Sequence, residues 1–143
     1  MAQQEVVFVD GVRTAFGRMG GTLKDIYASK LGALAIDGLL EKTNIKEKAH
    51  VDSVFMGSAT GCSQAGNPAR HAMLASGLDY ETSASYVEMQ CGSAIDSINH
   101  AAWRILANPS DIVIAGGMES YSQMAIKFSM ATPPFKLDRK SVV

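Results

Sequence analysis

A chain of 143 residues with a net charge of −1 has no basic surplus to recruit nucleic acid or an anionic membrane surface. Its 47% hydrophobic and 19% charged residues are ordinary for a soluble globular protein, and the length supports one domain with a real core. No apolar run approaches the roughly 20 residues of a membrane-spanning helix. Met1-Ala-Gln-Gln-Glu5 lacks the marks of a secretory signal or transit peptide, so the sequence reads as cytoplasmic.

In chain order, Glu5-Val-Val-Phe-Val-Asp10 is a short β-branched run that predicts a buried strand. The glycine-rich stretch from Gly11 to Gly21 lacks the Gly-Lys-Ser/Thr ending of a phosphate loop and does not match the dinucleotide fingerprint. It reads as a structural loop. Thr22-Leu-Lys-Asp25 resembles a capping box. Leu23, Tyr27, Leu31, Leu34 and Leu39 then recur at helical spacing, predicting an amphipathic helix over 23–42. Lys42 to Lys48 reads as a solvated connection.

Val51-Asp-Ser-Val-Phe-Met-Gly57 predicts a second strand, followed by a loop of small residues to Gly66. Asn67-Pro68 is a good helix start, with Asn as cap and Pro in the first turn, and Gly77 is the expected stop. Ser83 to Met89 predicts a third strand. Residues 92–107 predict a helix with Ile95, Ile98, Ala102, Ile105 and Leu106 on its inner face. Asp111-Ile-Val-Ile-Ala-Gly-Gly117 is an apolar run suited to a strand buried on both faces. Strands and helices thus alternate, which implies an α/β fold with a mostly parallel sheet and right-handed crossovers. Beyond Gly117 no element is evident.

The two cysteines, Cys62 and Cys91, form no CxxC pair and have no histidine cluster beside them, which argues against a structural metal. In a reducing compartment a disulfide between them is not expected. Cys91 falls at the switch from the third strand to the next helix. A helix N-terminus carries partial positive charge and unpaired N–H groups, which favour a thiolate. Gly92, Ser93 and Ala94 are small enough to let a substrate approach, and nearby N–H groups offer an oxyanion site. Cys91 therefore reads either as an acyl-accepting nucleophile or as a small buried residue at a tight turn.

A nucleophilic thiol needs a base. His100 lies nine residues beyond Cys91, half a turn out of phase at roughly 100° per residue. His50 sits in a charged connection. His71 lies on another helix and is the candidate base for a small cysteine hydrolase; otherwise it is a packing or surface histidine. Cys62, in the loop after the second strand, is read as non-catalytic. Glu119-Ser120, at the end of the last strand, is read as a helix or loop cap.

Four stretches carry a resemblance to a known family. They are Arg13-Thr-Ala-Phe-Gly-Arg-Met-Gly-Gly-Thr-Leu-Lys-Asp25, Gly66-Asn-Pro-Ala-Arg-His-Ala-Met-Leu-Ala-Ser-Gly77, Cys91-Gly-Ser-Ala-Ile95, and Asp111-Ile-Val-Ile-Ala-Gly-Gly-Met-Glu-Ser120. In this order and spacing they resemble the N-terminal portion of a thiolase, an acetyl-CoA acetyltransferase or 3-ketoacyl-CoA thiolase. The resemblance implies an incomplete, layered α/β/α fold. Residues 1–120 would be a partial thiolase-like N-terminal domain and 121–143 the start of an inserted loop region, cut short.

It also implies that Cys91 is the nucleophile, accepting an acyl group as a thioester, with its own N–H helping to form an oxyanion hole. The reaction would be thiolysis of a 3-ketoacyl-CoA or Claisen condensation of acetyl-CoA, in fatty acid metabolism. Coenzyme A thioesters would be substrates, with no metal or redox cofactor. The partners implied are further copies of the chain or a complementary C-terminal thiolase chain supplying the base and acid, and not nucleic acid or a membrane. Without that complement the chain would be a non-catalytic folding or association module. Two departures stand out. Ala94 replaces a family glycine beside the nucleophile, and Ala15 stands where proline is frequent.

Overall fold

The computed structural model describes residues 5–61 and 66–126. Helix α1 spans Ala28–Thr43, strand β1 Ser53–Gly57, helix α2 Pro68–Leu74, strand β2 Ser83–Val87, helix α3 Ser93–Ala107 and strand β3 Val113–Gly117. Short 3-10 turns lie at Ile45–Glu47 and Tyr121–Gln123. The three strands form one parallel sheet in the order β2-β1-β3. Gly57 is opposite both Val87 and Gly117, so all three carboxyl ends finish level at one edge.

The chain steps outward from β1 to β2, then back across β1 to β3. Crossovers of one hand and opposite direction place their helices on opposite faces of a sheet. Strand alternation agrees with that arrangement. Val54 and Met56 turn toward α1 and α2 and join Ile36, Leu40, Ala72 and Met73 in the main core. Phe55 turns the other way, its ring 5.9 Å from that of His100 on α3. The architecture is therefore layered α/β/α around a parallel sheet, as expected.

The start of α2 follows its sequence signal. Asn67 Oδ1 accepts from the Arg70 N–H at 3.0 Å, and Pro68 occupies the first turn. The helix ends at Leu74 with Ala75 as its cap, before Gly77, whose N–H goes instead to Asp37 Oδ1 on α1. Arg70 donates to the carbonyls of Tyr80 and Thr82 and ties the next connection to α2.

Other expectations fail, for identifiable reasons. Residues 5–10 form no strand. Val7, Phe8 and Val9 are 69%, 82% and 82% exposed, and neither a neighbouring strand nor a covering layer meets them among the described residues. Asp10 is held instead by Lys42 Nζ at 2.7 Å. Helix α1 begins at Ala28, five residues later than predicted, and Thr22 to Asp25 lies in turns ahead of it.

The buried stripe of α1 is Ala28, Ser29, Gly32, Ala33, Ile36 and Leu40, while Leu34 is 46% exposed. A Cβ on Gly32 would lie 2.7 Å from Met118 Sδ and 3.3 Å from the Ala72 methyl. Close approach of the layers selects small side chains over the leucine pattern. In α3 the buried positions are Ser93, Ser97 and Ala101, and the predicted inner residues Ile95 and Leu106 are exposed. Beyond Ser120 the structure shows only the turn at 121–123, and residues 127–143 lie outside the described residues.

The Met73 side chain is fully buried in the main core. Met73→Ala should lower unfolding free energy by about 2–5 kcal/mol, and Leu34→Ala by less than about 1 kcal/mol. Urea titration monitored by circular dichroism checks both, and the reverse ranking would show that the leucine stripe is the packed one.

Candidate active site

The site is assembled where the strand ends meet. The segment after β1 leads to a helix on one face, and the segment after β2 leads to a helix on the other. Adjacent strands whose connections leave in opposite directions open a crevice at their carboxyl ends. Cys91 stands there as an exposed, free thiol, four residues past β2 and two before α3.

Its position is fixed by a tight turn. The Gly92 N–H donates to the Met89 carbonyl at 2.9 Å, and the Ser93 N–H to the Gln90 carbonyl at 3.1 Å. The Ser93 hydroxyl accepts from the Met89 N–H at 2.9 Å and donates to the Gln90 carbonyl at 2.6 Å. One small side chain thus closes the turn twice. Gln90, next to the thiol, has φ 49°, in the left-handed region that a residue with a Cβ seldom adopts. Such a conformation costs of order 1–3 kcal/mol and persists only where the surroundings impose it. The Gln90 side chain donates to Glu88 Oε1 at 2.8 Å.

Beneath the turn, the first residues of α3 rest on strand backbone. A Cβ on Gly57 would lie 2.3 Å from the Ser93 carbonyl carbon and oxygen and 2.7 Å from the Ala94 nitrogen. A Cβ on Gly117 would lie 2.6 Å from the Ala94 methyl. Only glycine at both strand ends allows this seating. Ser97 Oγ lies 2.7 Å from both the Ala94 and Gly116 carbonyls and anchors the next turn. The Ala94 methyl packs on Gly117.

The segment after β1 contributes Ser58 and Ala59 to the cavity wall, beside Val12 to Met19 and residues of α1. Tyr86 Oη donates to the Ser58 carbonyl at 2.8 Å. Glu119, just past β3, accepts from the Ala59 N–H at 2.7 Å, the Thr60 hydroxyl at 2.5 Å and the Ser58 hydroxyl at 3.2 Å. Burial pushes the Tyr86 phenol above its ordinary 10.0, with the nearby Glu88 and Glu119 charges adding to the rise against the opposing Ser58 hydrogen bond. A cavity of about 840 Å³ opens between these walls, lined by Cys91, Ala94, Ser58, Ala59 and Glu119 and by apolar residues such as Met118.

The histidines are elsewhere. His71 Nδ1 lies 3.2 Å from Ser29 Oγ, between α1 and α2. His100 packs on Phe55 and edge-on to Trp103, with Asp96 3.6 Å away. His50 Nδ1 lies 3.7 Å from Asp79. None lines the cavity with Cys91, so the cysteine-hydrolase reading through His71 loses its base. Cys62 lies outside the described residues. Among the described residues no cluster of three or more His, Cys, Asp or Glu is arranged to hold a metal, and no helix is long and apolar enough to cross a membrane. The sequence reading missed the strain at Gln90 and the reach of Glu119. The Gly-Ser pair after Cys91 hinted at the tight turn, but nothing in the sequence linked Glu119 to residue 59.

Known proteins resemble this chain in sequence and in fold. The family model for the thiolase N-terminal domain matches residues 6–141. An acetyl-CoA acetyltransferase of Chromobacterium violaceum is 44% identical over 118 residues, covering 82% of this chain and 30% of the relative. A steroid 3-ketoacyl-CoA thiolase of Mycobacterium tuberculosis is 41% identical over 127 residues, covering 88% and 31%. The crystal structure of the Bacillus anthracis acetyl-CoA acetyltransferase superimposes with a TM-score of 0.74 at 26% identity, covering 85% of this chain and 31% of that one. The chain belongs to the thiolase family and matches its N-terminal domain. It spans about 30% of the length of the curated relatives it matches.

Two predictions follow the packing. Gly57→Ala should destabilise the chain by about 1–3 kcal/mol, because α3 must move to accept the methyl. It should also change the rate at which iodoacetamide alkylates Cys91; urea titration and intact mass check the pair, and an unchanged alkylation rate would separate the thiol's position from the glycine seat. For Tyr86, a raised phenol favours its neutral form in the fold. Its contribution to stability is whole below the ordinary 10.0 and is lost as pH rises through the raised folded value. Absorbance titration should show one late-ionising tyrosine that Tyr86→Phe removes.

Proposed function

We propose that this chain supplies the nucleophile of a thiolase-type acyltransferase. The observation that carries the reading is the exposed Cys91 thiol at the start of α3, facing a cavity beside small residues. The Cys91 sulfur attacks the thioester carbonyl of an acyl-CoA or the 3-keto carbonyl of a 3-ketoacyl-CoA. The carbon–sulfur bond to coenzyme A, or the carbon–carbon bond of the ketoacyl group, then breaks as the tetrahedral intermediate collapses. The Cys91 N–H contributes to the oxyanion site. Coenzyme A enters as substrate, and no other cofactor takes part.

The thiol proton must leave and the departing group must gain one. No histidine lines the cavity among the described residues, so a complementary C-terminal thiolase segment provides the base and the acid. In this reading residues 1–120 are the N-terminal domain and 121–143 begin an inserted loop region. The reading also places the chain in the cytoplasm, where the thiol stays reduced. The exposed apolar residues Val7, Phe8, Val9, Ile95 and Trp103 support association, with a second copy or with that complementary segment.

Incubation with acetyl-CoA followed by intact mass and peptide mapping tests the proposal. With a C-terminal thiolase chain present, one acetyl group should appear on Cys91 and disappear in Cys91→Ala. An unmodified Cys91 in a folded pair would sink it and leave only the association role.

A further inference from the structure

The geometry points to Glu119 as a positioning residue that fixes the 58–61 wall of the cavity and so sets how an acyl thioester docks against Cys91. The inference rests on the acyl-transfer reading and adds a residue to it. Glu119 leaves β3 where Ser58 leaves β1, and the strands are in register there, with Gly57 opposite Gly117. The carboxylate reaches sideways onto three consecutive residues of the neighbouring connection. Oε2 takes the Ala59 N–H at 2.7 Å, Oε1 takes the Thr60 hydroxyl at 2.5 Å, and the Ser58 hydroxyl lies 3.2 Å from both.

Ser58 is held again from within its own turn and from the other side. Its hydroxyl oxygen accepts from the Gly61 N–H at 3.1 Å, and its carbonyl accepts from Tyr86 Oη at 2.8 Å. The segment is therefore pinned between β3 and β2 at once. The donors that hold Glu119 are neutral hydroxyl and amide groups, and an ionised acceptor makes such hydrogen bonds short and strong. Ser58, Ala59 and Glu119 line the same cavity as Cys91. A wall held this way presents its backbone and the Ala59 methyl at a fixed height to any group entering beside the sulfur. Freed of the carboxylate, the segment keeps the Tyr86 and Gly61 ties and the bond from the Ser58 N–H to the Val87 carbonyl at 3.2 Å.

The test compares Cys91 labelling by two probes in the 143-residue chain. The first is a chloroacetyl thioester of pantetheine, which carries the arm of a coenzyme A substrate. The second is chloroacetamide, which has no arm. In each case sulfur displaces chloride at the methylene carbon. In Glu119→Ala the half-saturating concentration of the thioester should rise about ten-fold, while its maximal rate and the chloroacetamide rate stay within two-fold. Glu119→Gln keeps one acceptor oxygen and should recover part of the loss. Thr60→Val removes a single donor and should raise half-saturation about three-fold; it decides the matter should Glu119→Ala fail to fold.

Saturation by wild type with unchanged half-saturation in the variants would overturn the positioning role alone. A parallel rise in reactivity toward both probes would also overturn it, since that marks general loosening. Wild-type labelling without saturation would overturn the acyl-thioester reading and the docking role with it.

Discussion

The seating of α3 on the glycines that end β1 and β3 is the constraint from which the site follows. At Gly57 the helix backbone occupies the space a Cβ would need, and at Gly117 the Ala94 methyl does. A helix lowered that far onto a sheet edge leaves little chain to climb from the end of β2. The link must therefore turn sharply, and it does so through the left-handed Gln90. The strain there is of order 1–3 kcal/mol. Hydrogen bonds from the Ser93 hydroxyl, each worth about 0.5–1.5 kcal/mol net, are of the size needed to offset it. The outcome is a thiol held at the mouth of the cavity by backbone packing.

The same closeness shapes the rest of the molecule. Layers that approach on Gly32, Ser97 and Ala101 bury small groups and turn larger apolar side chains outward. Ile95 and Trp103 on α3 are 64% and 60% exposed for that reason. A helix whose small face meets its own sheet and whose bulky face meets solvent is built like a middle layer. The exposed run Val7 to Val9 has the same character, being a segment with a strand's composition and no strand beside it among the described residues. Contiguous apolar surface of this kind marks a binding face in soluble proteins. It fits the association that the proposed function requires.

How legible this was from sequence depended on how local the cause was. The strands at 53–57, 83–87 and 113–117 and the Asn67-Pro68 helix start rest on neighbouring residues, and they stand where the pattern put them. The place of Cys91 between strand and helix was equally readable, because the strand's apolar run and the Gly-Ser pair are adjacent to it. The inner faces of α1 and α3 were not. Hydrophobic periodicity assumes that large apolar residues face the core, and that rule fails when the interlayer distance demands Ser93, Ser97 and Ala101 instead. The strand predicted at 5–10 failed for a related reason, since composition suits a run to a sheet without supplying a partner. Glu119 was read as a helix or loop cap, and its reach to a segment sixty residues away, adjacent only through strand register, was not legible.

These two holds on the cavity differ in kind, and the difference bears on how catalysis would be divided. The Cys91 thiol is placed by steric contact, which is stiff because packed backbone has no alternative position to relax into. The opposite wall is placed by hydrogen bonds that Glu119 accepts and Tyr86 donates, each worth about 0.5–1.5 kcal/mol net. One wall is thus held by packing and the other by hydrogen bonds. An acyl group entering beside Cys91 would meet a sulfur held by packing and a facing segment tied to Glu119 and Tyr86. A proton-transferring group brought by a complementary segment then needs only to reach the sulfur, since the turn at 89–93 already closes without it. Preorganisation of this sort lowers the barrier by avoiding reorganisation at the moment of attack, and here it is a property of Gly57, Gly117 and Ser93 before any partner arrives.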